Sequence, residues 1–508
     1  MTAAPVAGIE VRRSARSGAL GLIGAAVSGL FGFLLAVVIT RGFGAAGAGG
    51  LFAAIGVLTV AAAVCCLGAD TGLIWAIARR RLGAGGDAAR LLPVALLPPV
   101  VSACAVAVVG VLAADRLAPG LLDAAGRQGP LLLAVAFAAV PPTVAMTVLL
   151  SAVRASRTIG AYVGIQFLLL PISRPVLVAA VALLGGGLVA GLLAWVLPIV
   201  VAMLACAMLV RGPLGVGAGA SVRPTVADWR PFWGFALPRA LSAAIDTGGM
   251  WFGVLLTAAL ASQADAGVFG GVGRYVLAGQ LAMQGLRVAV APQLARLLGA
   301  GRTAEALTVH RQTTVWVVLL SWPVYLLLGI FAPAFLALFG PEFDAGGPAL
   351  AVLAAAMLVN VGLGNVQTLL LMSGHSGRHL LATALGLATT LLLGSVLIPA
   401  YGVTGAACGW AAGIVTENAV AAVAASRALR RSVLSGPALR AAGGALLVVG
   451  AVAAVAVAVA GGPAGGGRGT AGLAVALGLF AMGAVAALGR RRVRRWLRRT
   501  VRELRQDG

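Results

Sequence analysis

The sequence predicts an all-α polytopic membrane protein of about fourteen transmembrane helices, built as two parallel six-helix lobes followed by two further helices. Three observations predict it: apolar runs along nearly the whole chain, arginines gathered in alternate loops, and a correspondence between the two halves. Of 508 residues, 61% are apolar and 10% are charged, and the mean hydropathy is +1.04. That is material for about fourteen spans of about 20 residues each. The runs exceed about 18 residues, whereas barrel strands need only about 10. With backbone groups in lipid obliged to bond internally, helices are the solution.

Taken in order, the chain opens on an arm, 1–16, carrying Arg12, Arg13 and Arg16. The apolar run 17–40 is longer than a signal-peptide core and continues into further spans, so it reads as a retained first helix. Spans follow at about 50–75, 91–113, 131–151, 160–184 and 187–210, closing an N-lobe over 17–210. A Gly- and Pro-rich linker, 211–232, leads to spans at about 234–261, 267–291, 313–333, 347–371, 380–400 and 403–425, a C-lobe over 233–425. A basic linker, 426–440, precedes two last spans within 441–489. The tail, 490–508, begins RRRVRRWLRRTVRELR, with Val493, Trp496, Leu497, Val501 and Leu504 at helical spacing between arginines. That pattern predicts a basic amphipathic helix on the anionic inner leaflet.

All 37 basic residues are arginine, and the net charge is +23. Such a charge invites a nucleic-acid reading, but its distribution is that of a topology signal. With the N-terminus inside, cytoplasmic loops hold Arg79–Arg81, Arg90, Arg154, Arg157, Arg211, Arg223, Arg230, Arg296, Arg302, Arg311, Arg378 and the 427–440 group. Outer loops hold Arg41, Arg116, Arg127 and Arg468, with most of the loop carboxylates. Both termini are then cytoplasmic. The absence of lysine, with abundant Ala and Gly, points to a GC-rich genome and a bacterial plasma membrane. The repeat rests on Gly50-Leu51-Phe52 against Gly267-Val268-Phe269 and on Gly187…Trp195 against Gly402…Trp410, at offsets of 217 and 215. Six helices per half is an even number, so the halves share one orientation and can rock about a central cavity.

The charges inside spans carry the functional reading. An ionisable group at membrane depth costs about 3 kcal/mol or more, so it tends to face a wet interior and mark a pathway. Arg239 and Asp246 lie seven apart on one helix; Gln280, Gln284 and Arg287 follow at i, i+4, i+7 on the next; Asn360 and Gln367 are seven apart on another. Arg174 and Arg274 sit deep in their spans, Glu417 lies beside Asn418, and Asp70 lies near the cytoplasmic end of the second helix. Arg174, Arg239, Arg274 and Arg287 against Asp246 and Glu417 predict a net-cationic cavity suited to a phosphate or pyrophosphate. Gln280, Gln284, Asn360 and Gln367 are its expected polar lining. Asp246, Glu417 and Asp70 are candidates for charge balance or for binding a coupling ion, Na⁺ or H⁺. Nothing indicates an organic cofactor or a metal centre.

Other chemistry finds no pattern. Cys65, Cys66, Cys104, Cys206 and Cys408 fall in spans without metal-ligand spacing. His310, His375 and His379 are read as loop residues with no ligating partner. The glycines at 215–219 follow no strand, and neither a Walker loop nor a paired-carboxylate or nucleophile constellation is present. The sequence therefore predicts no enzyme.

The string Phe235-Ala236-Leu237-Pro238, Asp246, Ala266-Gly267-Val268-Phe269, Arg274-Tyr275 and Ala291-Pro292-Gln293-Leu294-Ala295-Arg296 resembles the polysaccharide-biosynthesis flippases. These O-antigen and exopolysaccharide exporters belong to the multidrug/oligosaccharidyl-lipid/polysaccharide (MOP) superfamily and are relatives of the lipid II flippase. Arg41 with Gly50-Leu51-Phe52, Asp70-Thr71-Gly72-Leu73, Phe331-Ala332-Pro333, Leu338-Phe339-Gly340-Pro341-Glu342-Phe343 and Gly402-Val403-Thr404-Gly405-Ala406-Ala407 support it, over about 17–425. The resemblance implies a V-shaped bundle with a central cavity that carries undecaprenyl-pyrophosphate-linked glycan outward, with a polymerase or glycosyltransferase as partner. It also accounts for the last two helices, since multidrug extruders of the superfamily usually stop at twelve. The first span departs from the pattern in lacking a charge. A cation-coupled multidrug extruder is the alternative, and a non-transporting scaffold for a glycan synthase a third class.

Overall fold

A computed structural model describes residues 4–81, 88–156, 159–212, 224–460 and 470–479, with the side chains of some helical residues outside that description. The regular structure of the described residues is all helix, with no strand among them. The helices are α1 (Ala4–Cys65), α2 (Ala69–Arg81), α3 (Leu91–Leu121), α4 (Gly129–Ala138), α5 (Val140–Ser156), α6 (Ile159–Val163), α7 (Leu170–Leu183) and α8 (Leu188–Arg211). They continue as α9 (Val226–Leu260), α10 (Gln263–Gly279), α11 (Leu281–Gly299), α12 (Thr303–Ile330), α13 (Ala332–Leu336), α14 (Gly347–Leu363), α15 (Val366–Met372), α16 (Ser376–Leu429) and α17 (Gly436–Ala460). Among the described residues nine helices are long and apolar enough to cross a membrane, and the bent pair Arg239–Gly249 and Trp251–Leu260 makes a tenth. The chain is a multi-pass membrane protein.

Two of the nine are each a pair of helices. In α1 the helix breaks at Gly44 (φ 68°, ψ −178°), and in α16 at Gly402 (φ 52°, ψ −129°). Both φ values lie where a side chain would clash, which is why glycine stands there. With α10–α11 and the apolar helix Thr470–Leu479, the described elements are consistent with about fourteen spans. The tail 490–508 and residues 213–223 of the linker 211–232 lie outside the described residues.

The chain packs as two compact units, Met1–Arg274 with Leu391–Ala406, and Tyr275–Thr390 with Ala407–Gly508. In the first, α1 lies against α7 and α9, and α2 against α5 and α9. Phe52, Leu58, Leu73 and Phe269 are fully buried within it. Two contacts tie the second leg of α1, 45–65, to its neighbours without intervening side chains. Near one end, a Cβ on Gly49 would overlap the carbonyl oxygen of Gln263, and one on Gly267 that of Ala45. Just past the other end, a Cβ on Gly68 would overlap the carbonyl oxygen of Ala236. Beside this second contact Trp75 and Phe235 stack at 4.5 Å.

In the second unit α12 packs against α14 and α17 and α11 against α12. Tyr325 is buried and its hydroxyl donates to the Val276 carbonyl (2.8 Å), while the Tyr275 hydroxyl donates to that of Phe335. His310 is not in a loop: it lies on α12, 1% exposed, because that helix begins at Thr303 and so extends further toward the chain's N-terminus than its apolar run.

Candidate functional site

One cavity of ≈ 440 Å³ lies inside the first unit, bounded by both legs of α1 and by residues of α5, α7, α8, α9 and α10. It sits along the leg 45–65, between the two backbone contacts. Arg174 and Arg274 both line it, with Asp70, so the structure brings these three candidates into one cavity. Thr59, Thr143, Thr147 and Thr247 add hydroxyls, of which the first three donate to a carbonyl one turn earlier in the chain. What the cavity presents to a ligand is its charge together with the Thr247 hydroxyl.

Each guanidinium is seated on aromatic rings. Arg174 lies 3.9 Å from the centre of the Trp195 ring, and Arg274 lies 5.5 Å from Phe52 and 5.4 Å from Trp251. A cation over a ring face gains about 0.5–2 kcal/mol, most when desolvated. Among the described residues no carboxylate pairs with either arginine, and the Nε of each is buried without a hydrogen-bond partner. A π-face holds a guanidinium in place while leaving its edge N–H groups free. An anion with several oxygens is the complement of two such forks.

The remaining candidates lie elsewhere. Arg239 is exposed on α9, 5.6 Å above the Phe235 ring, and Arg287 is exposed on α11, so neither lines this cavity. The expected charge of four arginines is carried here by two. The backbone of Asp246 is in α9, but its side chain lies outside the described residues.

The polar stripes are also corrected. Gln280 sits where α10 ends and α11 begins, and its Nε2 donates to the Met357 sulfur at 3.7 Å, while Gln284 is exposed. Asn360 and Gln367 do not share a helix face, because Gly364 (φ 67°) ends α14 between them. Asn360 Nδ2 donates to the Met357 sulfur (3.7 Å), and Gln367 Nε2 donates to Glu417 Oε1 (2.8 Å). Glu417 Oε1 also accepts from Thr383 Oγ1 (3.2 Å), so a carboxylate network forms in the second unit. Among the described residues no cluster of His, Cys, Asp and Glu could hold a metal ion.

The aromatic seats are what sequence reasoning missed, although a signal was present. Arg174 and Trp195 lie at equal chain distances from the turn that ends at Gly185, and Trp251 and Arg274 are equidistant from the turn at Ser262–Gln263. In an antiparallel hairpin, residues equidistant from the turn share a depth. The seat predicts that Trp195→Leu lowers the thermal midpoint by a few degrees, against no change for Leu193→Ala on the exposed side of α8. Equal midpoints in a fluorescence-monitored melt would remove the energetic role of the ring.

No protein-family model and no curated sequence matches the chain. Solved structures do. An inward-facing multidrug resistance MATE transporter of the MOP superfamily aligns at 17% identity and TM-score 0.66, covering 79% of this chain and 94% of that one. The lipid II flippase MurJ in an inward closed conformation aligns at 10% identity and TM-score 0.68, covering 92% and 99%. A MOP transporter of Pyrococcus furiosus, described by the reverse polarity of its binding pocket, aligns at 17% identity and TM-score 0.58, covering 83% and 96%. The chain thus has the fold of the MOP-superfamily transporters.

Proposed function

We propose that the chain is a MOP-type flippase that moves a polyprenyl-pyrophosphate-linked oligosaccharide across a bacterial plasma membrane by alternating access, for cell-surface polysaccharide biosynthesis. The observation that carries this reading is the pair Arg174 and Arg274 in one cavity, held by rings and left without carboxylate partners. A pyrophosphate, with its spread of anionic oxygens, fits two guanidinium forks better than a cationic drug would. The alignment with the lipid II flippase over 92% of the chain supports the choice, since the multidrug resistance MATE transporters align with about four fifths.

The test is translocation in proteoliposomes. Polyprenyl-pyrophosphate oligosaccharide is expected to cross at least tenfold faster than the same glycan on a neutral polyprenol, because the neutral lipid leaves both guanidinium groups desolvated and unpaired. Equal rates would overturn the assignment of the cavity to an anion.

A second reading, a cation-coupled multidrug extruder, draws on Asp70 in the same cavity and on the MATE neighbours. It requires that overexpression raise resistance to organic cations and that Asp70→Asn abolish that resistance; the flippase reading requires neither. Coupling is assigned to Glu417, whose Oε1 gathers Gln367 and Thr383. Glu417→Gln keeps the shape and removes the charge, so transport by that variant is expected to lose its response to imposed H⁺ or Na⁺ gradients. A response equal to that of the native chain would move the coupling site elsewhere.

A further inference from the structure

The break at Gly402 folds α16 into two antiparallel legs, 376–401 and 403–429, within which small residues let the backbones meet. A Cβ on Gly386 would lie 2.7 Å from that of Glu417, and one on Gly413 would overlap the Thr390 hydroxyl. Beyond Gly386 the legs leave a groove of ≈ 450 Å³, walled by Leu381, Val420 and Val423 and flanked at its mouth by Arg378 and Arg427. The wall is apolar and open: Leu381 is 55% and Val423 50% exposed. Ala419 and Arg427, both on its lining, are eight positions apart on one leg, so the groove runs about 12 Å along the helix.

Both arginines are exposed, and among the described residues neither guanidinium makes a hydrogen bond or an ion pair. Arg378 stands in the first turn of α16, where the helix dipole adds to its positive potential. Both residues stand at the ends of α16, next to loops that the arginine pattern places on the cytoplasmic side, the side facing anionic lipid. Two cations at water level above an oily slot between helices complement one kind of neighbour, a molecule with an anionic head and an alkyl tail.

We propose that this groove binds an anionic phospholipid of the surrounding bilayer, its phosphate between Arg378 and Arg427 and an acyl chain along Leu381, Val420 and Val423. The site lies in the second unit and does not depend on what the Arg174–Arg274 cavity carries.

Native mass spectra of the full chain in detergent, titrated with phosphatidylglycerol or phosphatidylcholine, test it. One phosphatidylglycerol is expected to be retained at least tenfold more tightly than phosphatidylcholine, whose head carries no net charge. R378Q/R427Q is expected to bind the two lipids within twofold of each other. R430Q/R431Q, which removes two exposed arginines outside the groove, is expected to keep the preference. The single variants R378Q and R427Q each lose part of it, which keeps the test usable should the double variant be unstable. An unchanged preference in R378Q/R427Q, or an equal loss in R430Q/R431Q, would overturn the site. Displacement of the lipid by millimolar inorganic phosphate would also overturn it, marking a soluble-anion site instead.

Discussion

Arg274→Ala is expected to lower translocation of a pyrophosphate-linked glycan by about two orders of magnitude while leaving the protein abundant in the membrane. Removing one partner of a desolvated charged pair costs about 2–5 kcal/mol, and about 3 kcal/mol is a factor of more than a hundred. The loss falls on the loaded state, because among the described residues Arg274 is held by the rings of Phe52 and Trp251 and by no carboxylate. Arg274→Lys separates two contributions. Lysine keeps the charge but lacks the planar fork, so it is expected to recover a fraction of the activity and no more. Arg174→Ala is expected to behave alike, since Trp195 seats that group. The measurement is export of the labelled lipid-linked glycan normalised to protein in the bilayer. Wild-type rates from both alanine variants would remove the cavity from the transport path.

Gly267→Leu is expected to have the second large effect. Its Cβ would sit on the Ala45 carbonyl oxygen, which belongs to backbone and cannot swing aside. The helices must therefore separate, and overpacking of that kind costs about 1–3 kcal/mol or more. Spin labels at the exposed positions Ala46 and Ala264 report the separation. Their dipolar broadening is expected to weaken in Gly267→Leu and in Gly49→Leu, and to persist in Gly234→Leu, where a Cβ meets open space. Translocation is expected to fall at least tenfold in the first two variants, because a cavity that cannot shut on that side leaks its hold on the substrate. Unchanged broadening with full activity would show the contact to be incidental.

Much of the architecture was legible because its causes are local. Apolar length gives helices in lipid, and Gly402, named for its place in the repeat, marks the fold of α16. Arg174 and Arg274 were legible as cavity residues because charge at depth is costly enough to demand an exceptional environment. Arg239 and Arg287 were not, since near a helix end an arginine reaches water by its own length, and the chain sequence does not say which way it leans. Asn360 and Gln367 were misread for another reason. A seven-residue spacing means a shared face only on an unbroken helix, and Gly364 with positive φ breaks that one. A glycine in an apolar run reads equally well as small packing or as a break, and only the neighbouring helices decide.

The contacts at Gly49, Gly267 and Gly68 bear on how such a chamber changes state. Where helices meet through side chains, residue size offers a series of spacings. Here the peptide groups are themselves the spacers, so the shut position has a single separation and no half-shut neighbour. A chamber closed in this manner works as a latch with discrete settings, not as a valve whose aperture can be graded.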